Sequence, residues 1–340
     1  MPEDPLPRGL MIGHADDPRL KSGVTVILPE APAVMSAHIA GGAPGGRELG
    51  LAEPQASVGA VNAVVLAGGS AFGLSAADGV MSFLAERGRG FAVAGFRVPI
   101  VPAAILFDLA NGGDKAFLPA PGRKAPPNPY PALAYEACES AAPATGLGTL
   151  GAGAGATTAN LKGGFGFASE PLAGGGILAA FVAVNAVGAV TLGAGPHFRA
   201  APFERDGEFG GLGFPAMIPP DAARALTKLD PAPGANTTIA VIATDLALTK
   251  AEAKRLAIVA HDGLALAIWP AHTPYDGDTI FTLATGEVAV RAGADRLAMM
   301  TELSAAAVRA LARAVARGVY AASPAKGDAL PTWKCRFAKA

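Results

Sequence analysis

Short apolar runs, each bounded by glycine or proline, constrain the fold of this chain more than any other feature. They are four to eight residues long and rich in β-branched side chains, a pattern typical of buried β-strands. Strands are predicted at residues 24–28, 33–39, 61–66, 177–184, 187–192, 238–243 and 279–284. Because these runs alternate with apolar helical segments, we expect a layered αβ architecture.

The clearest helix signals lie in the C-terminal third. Thr249 is followed three residues later by Glu252, and this pair forms a capping box before an apolar-periodic segment. A second long helix is predicted over about 294–322, where Leu, Met, Val and Ala recur at helical spacing. Earlier helices are predicted at 70–87 and 131–141.

Composition excludes several classes of protein. Of the 340 residues, 51% are hydrophobic and 16% charged, which excludes a disordered chain. Its 27 basic residues against 28 acidic ones leave no electrostatic footprint for nucleic acid or an anionic membrane. The distant cysteines, Cys138 and Cys335, fit a reducing compartment. Glycines interrupt the uncharged stretch 171–198, and no signal peptide is recognised at the N-terminus. We therefore expect a cytoplasmic protein with no membrane partner.

Two glycine-rich motifs resemble known chemical sites without meeting their requirements. GLGTLG at 146–151 has the dinucleotide spacing, but a predicted helix precedes it where a strand is required, so a glycine-rich turn is favoured. GGSAFG at 68–73 fails the nucleophile-elbow pattern, and Ser70 is predicted as a helix N-cap. The five histidines show no metal-binding spacing. We expect no metal and no cofactor.

The most informative junction lies between the segment PAPGA and the strand that follows Asn236. Thr237 opens that strand, and a threonine in this position is ordinarily only a strand residue. Asp276 and Asp278, further along, are two residues apart, so on an extended segment both carboxylates face the same side. Such a pair is often a turn feature or a solvated face. It can also accept the proton of a threonine nucleophile.

Eight sequence blocks, in order and over nearly the whole chain, resemble the DmpA-type self-processing aminopeptidases, a family that includes β-aminopeptidases and nylon-oligomer hydrolases. The blocks are GHADDPRLKSGVTV (13–26), HIAGGAPGGRE (38–48), VVLAGGSAFGL (64–74), VPAAILFDL (101–109), GAGAGATTANLKGG (151–164), VAVNAVG (182–188), NTTIAVIATD (236–245) and HTPYDGDTIFTLATG (272–286). The Asn-Thr junction and the DGD acids are more similar to the nylon-oligomer hydrolase branch.

The resemblance implies an α+β fold, a four-layer αββα sandwich like that of DmpA and ornithine acetyltransferase. This sandwich resembles that of N-terminal-nucleophile hydrolases but differs in connectivity. It also implies a single domain, 1–340, whose precursor cuts itself between Asn236 and Thr237. The products would be an α subunit, 1–236, and a β subunit, 237–340, which share one core. The expected assembly is a tetramer of αβ units.

The resemblance further implies the catalytic residues. Thr237 becomes the N-terminal nucleophile, Asp278 polarises it, and Asp276 orients Asp278. Asn185 donates to the oxyanion, and Lys162 adds positive charge that biases the new α-amine toward its neutral form. That amine, with a reference pKa of about 7.7–8, can act as a base only once the peptide bond before it is cut.

Two departures from the family pattern concern the substrate site. Phe107 stands where relatives carry a tyrosine, and Ile105 stands where aminopeptidase members place a glutamate for the substrate's free amine. Because an apolar side chain cannot pair with an ammonium, we expect an amidase for small peptides or ω-amino-acid oligomers with less polar or internal amide bonds. The alternatives are an aminopeptidase of the same family (L-aminopeptidase/D-esterase or β-aminopeptidase) and a non-catalytic binding protein.

Overall fold

The computed structural model describes residues 4–228, 236–290 and 295–338; the segment PAPGA at 231–235 lies outside them. Within these ranges the α-helices are α1 (Ala76–Glu86), α2 (Tyr130–Glu139), α3 (Lys250–Ala267), α4 (Arg296–Tyr320) and α5 (Trp333–Phe337). In this described part of the chain, no helix is both long and apolar enough to cross a lipid bilayer.

The strands form two sheets and a separate hairpin. They are β1 (Leu10–Asp17), β2 (Ser22–Pro29), β3 (Ala33–Ile39), β4 (Gly46–Arg47), β5 (Ala60–Val61), β6 (Val64–Ala67), β7 (Phe91–Val93), β8 (Phe96–Val98), β9 (Ala103–Ile105), β10 (Gly164–Pro171), β11 (Ile177–Asn185), β12 (Thr237–Leu246) and β13 (Thr279–Val288). One sheet has the order β1-β2-β6-β9-β4 and the other β10-β11-β12-β13-β3-β5, while β7 and β8 pair with each other.

Three hydrophobic clusters stack these elements into four layers. Side chains such as Ile12, Leu66 and Phe281 fill the space between the two sheets. The outer face of the six-stranded sheet packs on α3 and α4, and that of the five-stranded sheet packs on α1 and α2. The predicted α+β fold with αββα layers is therefore confirmed.

Strand β12 explains why the chain is apolar at every position from 239 to 243. Ile239 and Val241 point between the sheets, whereas Ala240 and Ile242 point toward the helices. A strand covered on both faces shows no polar alternation. β12 runs antiparallel to β11 and parallel to β13, so it lies in the middle of the six-stranded sheet.

Most local predictions agree with the structure. Helix α3 begins with the predicted capping box: the Thr249 hydroxyl accepts from the Glu252 amide, and the Glu252 carboxylate accepts from the Thr249 amide at 2.7 Å. The GLGTLG segment is a loop that follows α2, and Gly148 has a φ of +91° there. The glycine-turn interpretation is thus confirmed.

Two local predictions were wrong. Residues 187–192 form no strand; they make only isolated bridges, from Ala189 to Trp269 and from Thr191 to Phe198, because Gly188 packs its backbone directly against Trp269 and Pro270. Ser70 is not a helix N-cap. It lies inside a 3₁₀ turn, Ser70–Ser75, with a φ of +55°, and α1 begins only afterwards.

Candidate active site

The first residue of β12, Thr237, lies at one end of the layer between the sheets. Because side chains alternate along a strand, Thr237 shares the face of Ile239 and Val241. Its hydroxyl donates to the carbonyl oxygen of Asn236 at 2.6 Å. The backbone amide of Gly277 donates to that same oxygen at 2.9 Å. The carbonyl oxygen of the peptide group between Asn236 and Thr237 therefore accepts two hydrogen bonds, one from the Thr237 hydroxyl and one from the Gly277 amide.

Gly277 has room for no side chain. A Cβ atom at this position would lie 2.6 Å from the Thr237 hydroxyl oxygen and 2.8 Å from the carbonyl oxygen of Ala43. Real Cβ atoms do not come this close to other heavy atoms. The glycine between the two acids of the DGD motif thus lets the backbone amide approach the junction.

The acids on either side of Gly277 are both buried, but their partners differ. Asp278 accepts the amide of Thr238 on one oxygen at 2.8 Å. Asp276 accepts the amides of Thr273 at 2.8 Å and Val187 at 3.3 Å. Burial, followed by the charge of Asp278, raises the pKa of Asp276 above its ordinary value. Asp276 is therefore a buried carboxyl group whose charged form is disfavoured beside Asp278.

His272 completes the surroundings of Asp278. Its backbone amide and its Nδ1 atom lie 3.1 and 2.8 Å from the second Asp278 oxygen. Burial lowers the pKa of His272, but the hydrogen bond and charge of Asp278 outweigh burial and raise it overall. The backbone of His272 is left-handed, with a φ of +58°, which few non-glycine residues adopt. Sequence spacing gave no reason to single out this histidine.

Asn185 lies directly opposite Thr237 in the ladder between β11 and β12. Residues opposite each other in an antiparallel pair point to the same face, with Cβ atoms about 4.5–5.5 Å apart. The Asn185 side-chain oxygen accepts the amide of Thr157 at 3.0 Å, and its nitrogen donates to the carbonyl of Phe107 at 2.9 Å. Since each amide nitrogen carries two hydrogens, one N–H of Asn185 is left for another acceptor.

Lys228 is another residue of this site that the sequence interpretation missed. Its amine donates to the Asn185 side-chain oxygen at 3.2 Å and to the carbonyl and hydroxyl oxygens of Thr157 at 2.6 and 3.0 Å. Burial, opposed by the charge of Asp276, lowers the pKa of Lys228 to about 7. A single lysine in a connection rich in glycine and proline is ordinarily solvated, so nothing in the sequence indicates that Lys228 contacts Asn185.

Lys162 has different partners from those that its expected role requires. Its amine pairs with Asp328 at 2.8 Å, and the same carboxylate pairs with Lys21 at 2.9 Å. Among the described contacts, no hydrogen bond joins Lys162 to Thr237. Its backbone forms a bridge with Thr157, which connects this ion-paired cluster to the surroundings of Asn185.

The two positions expected at the substrate site lie on one segment, and Ile105 packs in the cluster between the five-stranded sheet and helices α1 and α2. Ile105 ends β9 and is 7% exposed, with its side chain directly over Gly45. Phe107 follows two residues later and contributes its carbonyl oxygen to Asn185. The structure therefore brings Phe107, Asn185, Thr237 and the acids to one region.

A model of peptidase family S58 matches residues 8–331 of the chain. The chain belongs to peptidase family S58. Membership makes it a hydrolase of the class that acts on peptide bonds. This agrees with the family resemblance drawn from the eight sequence blocks.

Named relatives fall into two groups. An uncharacterized aminopeptidase of Mycobacterium bovis is 43% identical over 97% of this chain and 96% of its own length. A 6-aminohexanoate-oligomer endohydrolase of an Agromyces strain is 30% identical over 82% of this chain and 74% of its own length. The nylon-oligomer hydrolases are thus more distant than the aminopeptidase relatives.

Solved structures share the fold. A Burkholderia β-aminopeptidase superposes with a TM-score of 0.66 at 19% identity, over 97% of this chain and 90% of that one. The L-aminopeptidase D-Ala-esterase/amidase of Ochrobactrum anthropi gives a TM-score of 0.63 at 21% identity, over 95% of this chain and 88% of that one. The latter is described as a variant of the Ntn hydrolase fold.

Proposed function

We propose that the protein is a self-cleaving amidohydrolase whose nucleophile is Thr237. The observation that carries this proposal is the Asn236 carbonyl oxygen, which accepts both the Thr237 hydroxyl and the Gly277 amide. This contact holds the Thr237 oxygen beside the peptide group that it would attack. The Gly277 amide would then stabilise the oxyanion that forms.

The cleavage proceeds as an acyl shift from nitrogen to oxygen. The Thr237 oxygen bonds to the Asn236 carbonyl carbon, its proton passes to a carboxylate, and the Asn236–Thr237 C–N bond breaks as the nitrogen gains a proton. Water hydrolyses the resulting ester and leaves a carboxylate on Asn236 and a free amine on Thr237. Asp278, held next to the nucleophile by the Thr238 amide, is the proposed proton acceptor, with Asp276 beside it.

Turnover reuses the same nucleophile. The free amine of Thr237 serves as the base for its own hydroxyl, whose oxygen bonds to the carbonyl carbon of a substrate amide. The substrate C–N bond breaks, the leaving amine takes the proton, and water then hydrolyses the acyl-enzyme ester to release the acid and restore the hydroxyl. Asn185 is the proposed oxyanion donor in this step, through the N–H that Phe107 does not occupy. The proposed fragments, 1–236 and 237–340, remain joined because β12 pairs with β11 along its length.

Mass spectrometry of the intact protein tests the proposal. The wild-type protein should separate under denaturing conditions into two fragments, the smaller beginning TTIAVIATD. Thr237→Ala should remain a single chain with a normal melting temperature and no amidase activity, while Thr237→Ser should still cleave. Thr282→Val is the matched control, since Thr282 is a buried strand threonine whose hydroxyl has no partner in the described part of the chain. An uncut wild-type chain with amidase activity would contradict the proposal.

The proposed substrate preference rests on position 105, where aminopeptidase members carry a glutamate and this chain carries Ile105. Its buried apolar side chain favours amides without a free amine beside the scissile bond, because an ammonium buried against it would be unpaired. The alternative is an aminopeptidase, which the name of the more similar mycobacterial relatives favours. Alanine 4-nitroanilide and its N-acetyl derivative separate the two: faster hydrolysis of the acetylated substrate supports the amidase, and the reverse supports the aminopeptidase. No turnover of any amide, with no cleavage, would leave the binding-protein alternative.

A further inference from the structure

The amine of Lys228 is satisfied entirely by uncharged oxygens among the described residues. It has three acceptors, two on Thr157 and one on Asn185, which is the number that a protonated amine can use. Its own backbone amide donates to the carbonyl of Val187 at 3.1 Å, which fixes the residue beside the end of β11. The geometry is thus that of a built site for one amine.

A protonated amine surrounded by uncharged oxygens lowers the stability of the folded protein. A buried ammonium without a counter-ion in contact loses its hydration, and three neutral acceptors recover only part of that loss. Thr157 and Asn185 are neutral, and the charged group that acts on Lys228 is Asp276, from the turn before β13. Buried charges that are not directly compensated concentrate at functional sites.

The contact with Asn185 gives the amine a specific task. Lys228 and the Thr157 amide both donate to the Asn185 side-chain oxygen, so this oxygen cannot exchange places with the nitrogen without opposing two donors. The Asn185 nitrogen therefore stays on the side of Phe107 and the β12 ladder, where Thr237 lies opposite. A positive charge behind the amide oxygen also makes the N–H groups better donors.

Self-cleavage and turnover differ in their need for this arrangement. The carbonyl oxygen of Asn236 already has the Gly277 amide as a donor, so the cut can proceed with that donor alone. The carbonyl of an incoming substrate relies on Asn185 in the proposed turnover. A residue that acts through Asn185 should therefore affect turnover more than maturation.

We propose that Lys228 is a positioning residue for turnover, which fixes the amide of Asn185 and supplies positive charge behind the oxyanion. This inference rests on the proposed function. In it, Lys228 fills the cationic role that the family resemblance assigns to Lys162, whose amine is ion-paired with Asp328.

Variants at position 228 of the full-length chain test the inference. Lys228→Met removes the charge and the donors but retains the length of the side chain. Lys250→Met is the matched control, because the Lys250 amine also donates to three oxygens, the carbonyls of Leu51, Ala56 and Val58, outside the site. Each protein is measured for extent of cleavage, melting temperature, and kcat and KM on whichever alanine 4-nitroanilide the wild type hydrolyses faster.

We expect Lys228→Met to be cleaved and to lose about 10²-fold in kcat, with KM within a few-fold of the wild type, since removal of oxyanion stabilisation acts on the transition state. Lys250→Met should keep its kcat. Equal kcat values for the two methionine variants would overturn the inference. Thr237→Ala, run in parallel, separates this failure from failure of the proposed nucleophile, because its loss of cleavage and activity does not depend on Lys228.

A pH profile adds a readout that a purely structural lysine would not move. Turnover needs the ammonium form of Lys228 together with the neutral amine of Thr237, so the wild-type kcat should pass through an optimum and decline on its alkaline side, where Lys228, with a pKa of about 7, loses its proton. Lys228→Arg stays charged throughout and should lose this alkaline decline. An unchanged decline in Lys228→Arg would overturn the inference even if Lys228→Met did not fold.

Discussion

Lys162, which is buried, and Lys228, which is half-buried, lie on either side of Thr157 in opposite electrostatic surroundings. Lys162 and Lys21 share the carboxylate of Asp328, so that cluster holds two positive charges against one negative charge in direct contact. Among the described residues, Lys228 contacts only neutral oxygens, and burial lowers its pKa to about 7. The first cluster resembles a structural ion network, whereas the second resembles a site arranged for chemistry.

This difference distinguishes a lysine that stabilises the fold from a lysine that acts in the site. A lysine paired with a carboxylate is compensated, and its removal is felt mainly as lost stability. An amine held by neutral groups destabilises the folded state, and its position against Asn185 supplies a reason for its presence. Sequence motifs pointed to Lys162; the contacts favour Lys228.

The largest expected effect tests the ion-paired cluster. Asp328→Asn leaves two buried amines without their shared carboxylate, so the free energy of unfolding should fall by about 3–5 kcal/mol. Urea denaturation at neutral pH measures it. Asp78→Asn, which breaks a surface pair with Arg47, is the control and should cost about 1 kcal/mol or less. If Asp328→Asn lowers the free energy of unfolding no more than the control does, or lowers kcat without lowering stability, then Lys162 is not mainly a structural residue and the distinction between the two lysines is wrong.

The next largest effect tests Asn185, whose side-chain amide Lys228 contacts. Asn185→Ala should still cleave itself through the Gly277 donor, yet lose about 10²–10³-fold in kcat because the substrate oxyanion has no side-chain donor. The activity of the folded fraction and the fragment masses are measured together. Asn160→Ala is the matched control, since the Asn160 side chain is buried and has no hydrogen-bond partner among the described residues. Comparable kcat losses in both variants would show that Asn185 does not act as the oxyanion donor.

The smallest expected effect tests the charge of His272, which contacts Asp278. His272→Asn retains a donor toward Asp278 and suits the left-handed backbone, but it cannot carry a charge. Because the pKa of His272 is raised in the folded state, its charge stabilises the fold below its unfolded pKa of about 6.5, and this contribution disappears as the pH rises through the higher folded value.

The unfolding free energies of wild type and His272→Asn should therefore differ most in acid and converge above that range. Chemical denaturation at a series of pH values gives both curves. A difference that grows with pH would mean that His272 is neutral when it contacts Asp278.

Much of the architecture was predictable because it depends on local patterns. Strands β3 and β12, the capping box of α3 and the long helix α4 follow from apolar periodicity and cap residues that act within a few positions of each other. Residues 187–192 misled the prediction because an apolar run does not reveal whether a neighbouring strand is available to pair with it. The position of Ser70 was wrong for a similar reason: its backbone conformation is set by the turn that packs around it.

The sequence by itself determined the layered fold, the family and the Asn236–Thr237 junction with its two acids, since these depend on periodicity and on residues adjacent in the chain. Only the tertiary structure decided which side chains meet at that junction. His272 and Gly277 reach it from the connection between α3 and β13, Lys228 reaches it from the connection between β11 and β12, and Lys162 is turned toward Asp328 instead. Hydrogen bonds and desolvation act over a few ångströms in space, and separation along the chain does not report those distances.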